Sequence, residues 1–74
     1  MIIEHTYLEN NELTIPDNKY WFIFNQLTRE ANLPSKSSGK VKLVFNTVLI
    51  IGDSEQECLQ YIKNNNIIID DNLV

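Results

Sequence analysis

The chain has one cysteine, Cys58, and one histidine, His5, among its 74 residues. A lone thiol closes no internal disulfide, so burial alone has to hold the fold, and the same thiol suggests a reducing, cytoplasmic setting. One histidine and one cysteine far apart in sequence do not make a zinc site. Asp70-Asp71 lacks the alternating oxygens of a calcium loop, so neither metal nor cofactor is expected. Long apolar runs are missing too. The longest, residues 20–24 and 48–51, fall far short of the roughly 20 residues a bilayer needs. Met1-Ile2-Ile3 is followed at once by Glu4 and His5, with no basic stretch and no long apolar core of a signal peptide. No membrane association is expected.

What is present describes an ordinary globular chain, 43% hydrophobic and 22% charged, of a length that makes a single domain over residues 1–74. So short a chain buries little apolar surface for the conformational entropy it loses, which makes self-association, here a homodimer, a reasonable expectation. Asparagine and isoleucine each occur ten times, a bias better explained by A+T-rich coding than by chemistry. The net charge of -4 is unevenly spread. Residues 1–17 carry Glu4, Glu9, Glu12 and Asp17; residues 18–50 carry five bases against Glu30; residues 51–74 carry five acids against Lys63, which sums by segment to -4, +4 and -4. Solvated faces explain such a pattern, and so does an acidic surface, formed where the two ends of the chain meet, that faces a basic partner.

Ile2 to Leu8 alternates loosely between apolar and polar residues and reads as a first strand, with a turn over residues 9–12. The next segment is ambiguous. Tyr20-Trp21-Phe22-Ile23-Phe24 has strand propensity, yet Tyr20, Phe24, Leu27 and Ala31 recur at helical spacing. Thr14-Ile15-Pro16-Asp17 fits a capping box with proline in the first turn, Asn32 suits a left-handed position after a helix, and Pro34 blocks continuation. These end signals predict a helix over residues 16–32. A Ser/Gly loop follows, and then alternating apolar residues from Val41 to Ile51 predict one long strand or two divided near Asn46. Its end is apolar on both faces and should be covered on both. Ser54-Glu55-Gln56-Glu57 is a capping box, Cys58, Leu59 and Ile62 form an apolar stripe, and Asn64-Asn65-Asn66 ends the helix. Ile67 to Ile69 reads as a short strand, parallel to the long one if the connection is a crossover.

The turn between strand and helix carries the one suggestive motif. Residues 50–54, Ile50-Ile51-Gly52-Asp53-Ser54, resemble the opening block of the Gly-Asp-Ser hydrolases, which implies Ser54 as a nucleophile. That family takes its base from an Asp-x-x-His pair near the C-terminus, and here residues 70–74 contain no histidine. Ser54 is therefore expected to be an N-cap. A nucleophile elbow would need glycine at Gln56, and a phosphate-binding loop ending at Gly39-Lys40 would need glycine at Pro34 and a hydroxyl at Val41. Cys58 is expected to be a small buried hydrophobe.

The expected architecture is α+β in the order β-α-β-α-β, a three- or four-stranded mixed sheet with two helices packed on it. The expected function is that of a non-catalytic, acidic protein-interaction factor. A small inhibitor, immunity or accessory protein, of the kind that phages and mobile elements encode, would occupy a partner's basic surface with Asp53, Glu55, Glu57, Asp70 and Asp71. The alternative is a nucleic-acid-binding or regulatory module that uses the Lys36, Lys40 and Lys42 loop with the nearby aromatics. A sequence pI near 4.7 argues against it, since nucleic-acid binders usually present a dominant basic face.

Overall fold

In the computed structural model, which describes residues 1–8 and 11–70, α1 (Glu55–Asn64) packs on one face of a five-stranded sheet, and a two-stranded sheet packs on the other. The larger sheet has the order β1 (Ile3–Thr6), β6 (Thr47–Gly52), β3 (Tyr20–Asn25), β4 (Glu30–Ala31), β7 (Ile68–Ile69). The smaller pairs β2 (Glu12–Ile15) with β5 (Gly39–Lys42). All pairings are antiparallel except β4 with β7. The class is α+β with a mixed sheet, as expected, but with five strands in that sheet and one helix where two were expected.

The helix expected over residues 16–32 is instead β3, a turn and β4. Burial on both faces decides this. Phe22 and Phe24 pack toward α1 with Val48, Ile50, Cys58 and Ile62, whereas Trp21 and Ile23 pack with Leu49, Ile51, Ile15 and Leu43 on the opposite side. A strand between two apolar layers has no polar face, so its period of two is hidden in a continuous apolar run. Leu27, essential to the helical spacing, is 75% exposed in the turn. The apparent capping box is also something else: Thr14 and Ile15 finish β2, Pro16 follows its end, and Asn18 takes the turn with φ 65°. Proline, aspartate and asparagine serve turns as readily as helix starts. The left-handed residue at the far end is Arg29, φ 65°, rather than Asn32.

The run from Val41 to Ile51 is two strands in different sheets, divided where Asn46 has φ 69°. Residues 48–52 of β6 are all buried, between β1 and β3 and between both layers. Between the Phe24–Ala31 and Trp21–Ser35 pairs, β3 has two residues and the facing chain three, a bulge that accommodates Pro34. The helix forms where it was expected, with Cys58 and Ile62 buried; Leu59, placed on the same stripe, is instead exposed. Since β6 and β4 are both antiparallel to β3, and β7 is parallel to β4, β7 runs parallel to β6. Two strands separate them.

Candidate functional site

Gly52-Asp53-Ser54 joins the buried end of β6 to α1, and each residue of it has a structural task. A Cβ on Gly52 would lie 2.9 Å from Cys58 Sγ and 3.2 Å from both Glu57 Oε1 and Ile2 Cδ1. Glycine is there because the helix comes that close. Ser54 Oγ accepts the Glu57 amide at 3.2 Å, and Glu57 Oε1 accepts the Asp53 amide at 2.9 Å. The two bonds form a capping box with its return arm one residue earlier than usual. Asp53 accepts from Lys19 Nζ and from the Met1 amino group, which also lies 3.0 Å from Glu57 Oε1. These cations, Lys19 foremost, hold the Asp53 carboxyl down at about 2. The Asp53 amide, followed by the Met1 amino group, likewise lowers Glu57.

His5 is not placed to serve Ser54 as a base. It pairs with Leu49, whose side chain belongs to the layer opposite α1, whereas Ser54 caps α1 itself. Cross-strand partners share a face, so the sheet stands between the imidazole and the hydroxyl. Cys58 is fully buried, with Sγ 3.6 Å from the Tyr20 carbonyl oxygen, and burial pushes its thiol pKa up. Among the described residues, no group of three or more His, Cys, Asp and Glu side chains is placed to hold a metal ion. Among the described residues, no helix is long and apolar enough to cross a membrane.

The expected acidic residues are only partly assembled. β6 and β7 run parallel, but the registers set Ile69 level with Val48, so Asp70 lies beside the first half of β6 rather than at its Asp53 end, and on the sheet face opposite α1. Three inter-strand steps separate the strands, roughly 14 Å. Glu55 and Glu57 sit in the first turn of α1, with Glu55 exposed. Asp53 and Glu57 are thus joined to internal cations, Glu55 faces solvent, and Asp70 contacts Glu30. Asp71 lies outside the described residues.

Glu30 is the acidic residue that the sequence did not single out. The parallel register sets Glu30 opposite Ile68, so Glu30 and Asp70, two residues further along β7's direction, project from one face of the sheet. A hydrogen bond to Asp70, followed by burial, raises the Glu30 carboxyl above the usual carboxylate range. Beside it, the β2–β5 layer leaves part of the sheet uncovered, and a groove of about 490 Å³ runs there between Ile23, Asn25, Thr28, Glu30, Asn32 and Thr47. No spacing motif could have announced it, because strand pairing builds the groove.

Of the lysines expected of a nucleic-acid surface, Lys40 and Lys42 are two residues apart on one exposed face of β5. Lys36 lies over the Tyr20 ring at 5.7 Å, and Lys42 stands directly across from Glu12 on the exposed side of β5. Arg29 lies 5.1 Å over the Phe24 ring and donates to the Asn65 carbonyl at the end of α1, where a cation suits the helix dipole. The aromatics Trp21, Phe22 and Phe24 belong to the core. Comparison with known proteins found no matching family model, no matching curated protein and no matching solved structure.

Proposed function

We propose that this protein is a non-catalytic, acidic protein-interaction factor, of the small inhibitor, immunity or accessory kind, that works in the cytoplasm by occupying a basic surface of a protein partner. The observation that supports this reading is the acidic start of α1, where Asp53, Glu55 and Glu57 follow one another at the end of the sheet at which β6 finishes. Supporting it, the serine of the Gly-Asp-Ser turn is engaged in capping, and the histidine lies across the sheet from it. A phage or mobile-element origin accords with the size and charge of the chain. Self-association is part of the same reading, because Leu8, Leu27 and Phe45, exposed by 87%, 75% and 69%, gather near the opposite end of the sheet.

The experiment is capture of binding partners on the immobilised chain, set beside retention of the free chain on heparin and on single-stranded DNA. A protein partner released by moderate salt, without retention on either polyanion, is the expected outcome. Salt-sensitive retention on the polyanions, lost when Lys36, Lys40 and Lys42 are reversed, would favour nucleic-acid binding instead.

A further inference from the structure

We propose that the end of the sheet opposite the start of α1 docks onto a second copy of this chain, with Leu27 of each copy entering the cleft beside Tyr7, Leu8 and Phe45 of the other, so that a head-to-head dimer carries its two acidic helix starts at opposite poles. The interface stands on its own observations. The bivalency that it confers rests on the reading of the protein as a binder of a basic partner.

Two tight turns build the docking face. Asn25 Oδ1 accepts the Leu27 and Thr28 amides at 2.8 and 3.0 Å, and Arg29, at φ 65°, donates its amide to the Asn25 carbonyl at 2.8 Å. In the other turn Thr47 Oγ1 donates to the Val44 carbonyl at 2.6 Å and accepts the Val44 amide at 3.1 Å. The Gln26 amide donates to the Asn46 carbonyl at 2.8 Å, which sets the two turns side by side. Leu27, Val44 and Phe45 are thereby held outward, and the Phe45 ring is braced edge-on against Tyr7 at 6.0 Å between centroids. Apolar side chains fixed in this way lose little freedom when they are covered.

Charge and area select the occupant. The cleft lining and residues 25–28 and 44–47 contain no charged side chain, and Arg29 turns away to lie over Phe24 and donate to the Asn65 carbonyl. A basic partner finds nothing to pair with there, whereas two copies meet without repulsion. The projecting Leu27 adjoins a cleft of about 120 Å³ lined by Tyr7, Leu8, Gln26 and Phe45. A two-fold axis sets each projection into the other copy's cleft, as an isologous contact requires. Covering Leu8, Leu27, Val44 and Phe45 in both copies removes roughly 1,000 Å² from water, the lower bound for a specific interface, so the dimer is weak, with a dissociation constant on the order of 10 μM. Strand β6 starts at the cleft with Thr47 and ends at Gly52, next to Asp53. That length, about 17 Å per copy, sets the two Glu55 residues on the order of 40 Å apart across the contact.

The test is sedimentation of the free chain over a concentration series, with a pulsed electron-resonance distance measured between spin labels at Glu55→Cys; Cys58, fully buried, stays unlabelled. A reversible monomer–dimer equilibrium is expected, with the labels on the order of 40 Å apart. Leu27→Asp and Phe45→Lys should each weaken dimerisation at least tenfold. An equimolar mixture of the two should dimerise again, because one contact then sets the new carboxylate against the new ammonium and the other contact is native. Amide spectra unchanged outside the two turns would show that both variants fold. A chain that stays monomeric at millimolar concentration, a label separation less than half of that expected, variants that dimerise like the native chain, or no recovery in the mixture would each overturn the proposal. Every measurement uses the free chain, so failure here removes the interface and leaves the acidic-factor reading to its own capture experiment.

Discussion

Replacing Gly52 by alanine puts a methyl group into space that Cys58 Sγ already occupies at 2.9 Å, with Glu57 Oε1 and Ile2 Cδ1 at 3.2 Å. The backbone there has no positive φ that only glycine favours, so conformational strain is not the issue and any cost comes from the collision. Cys58 is fully buried against β3 and β6 and has little room to withdraw. Gly52→Ala should therefore cost about 1–3 kcal/mol, the usual range for an added methylene in a filled core. Cys58→Ala alone removes Sγ and leaves a small void, for about 1 kcal/mol. In the double variant the new methyl takes up the space that the sulfur leaves. Urea unfolding of the four proteins of the cycle should show the double variant more stable than the sum of the single effects by at least about 1 kcal/mol. Additive costs, or a neutral Gly52→Ala, would refute the claim that glycine is required by the approach of the helix.

Ser54→Ala should lose about 1 kcal/mol of stability and Ser54→Asp almost none, measured by the same denaturation, because an aspartate also caps; a hydrolase nucleophile would predict ester cleavage that Ser54→Asp abolishes. The Tyr61 hydroxyl donates to Glu4 Oε2 at 2.6 Å, and burial first, then Glu4, pushes its pKa up to about 12. Because that folded-state value is raised, the associated stability is complete below the tyrosine reference near 10 and is lost as pH rises toward 12. Tyr61→Phe should remove this alkaline loss from melting curves recorded across that window, and an unchanged profile would contradict the assignment. Light scattering should find a homodimer that Leu8→Glu or Phe45→Glu dissociates, whereas a monomer at high concentration would end that expectation.

Where local chemistry was sufficient, the sequence was legible. Ser54 and Glu57 cap α1 through their own side chains, and the Asn64-Asn65-Asn66 stop is equally local, with Asn65 Nδ2 donating to the Tyr61 carbonyl and Asn66 at φ 54°. Residues 20–25 were misread because the information lies elsewhere in the chain: Cys58 and Ile62 cover one face of β3, and Ile15 and Leu43 cover the other. Without those layers, aromatic residues at i and i+4 satisfy a helix as well as a strand. The acidic positions were legible as charges but not as partners. Lys19, 34 residues before Asp53, reaches it only because β3 begins where β6 ends, and Glu30 meets Asp70 only through the parallel pairing of β4 with β7.

The central claim, that an acidic end of this fold meets a basic protein surface, is tested most directly by the association rate of the captured partner over a range of ionic strengths. Glu55, exposed in the first turn of α1, is the residue to reverse, since Asp53 and Glu57 are joined to Lys19 and the Met1 amino group. Steering by exposed charges acts on the on-rate and is screened within about 8 Å at physiological salt. Glu55→Lys should therefore slow association and flatten its salt dependence, while reversal of Lys36, Lys40 and Lys42 should leave both nearly unchanged. An on-rate indifferent to the acidic variant but lost with the lysine variant would contradict the account.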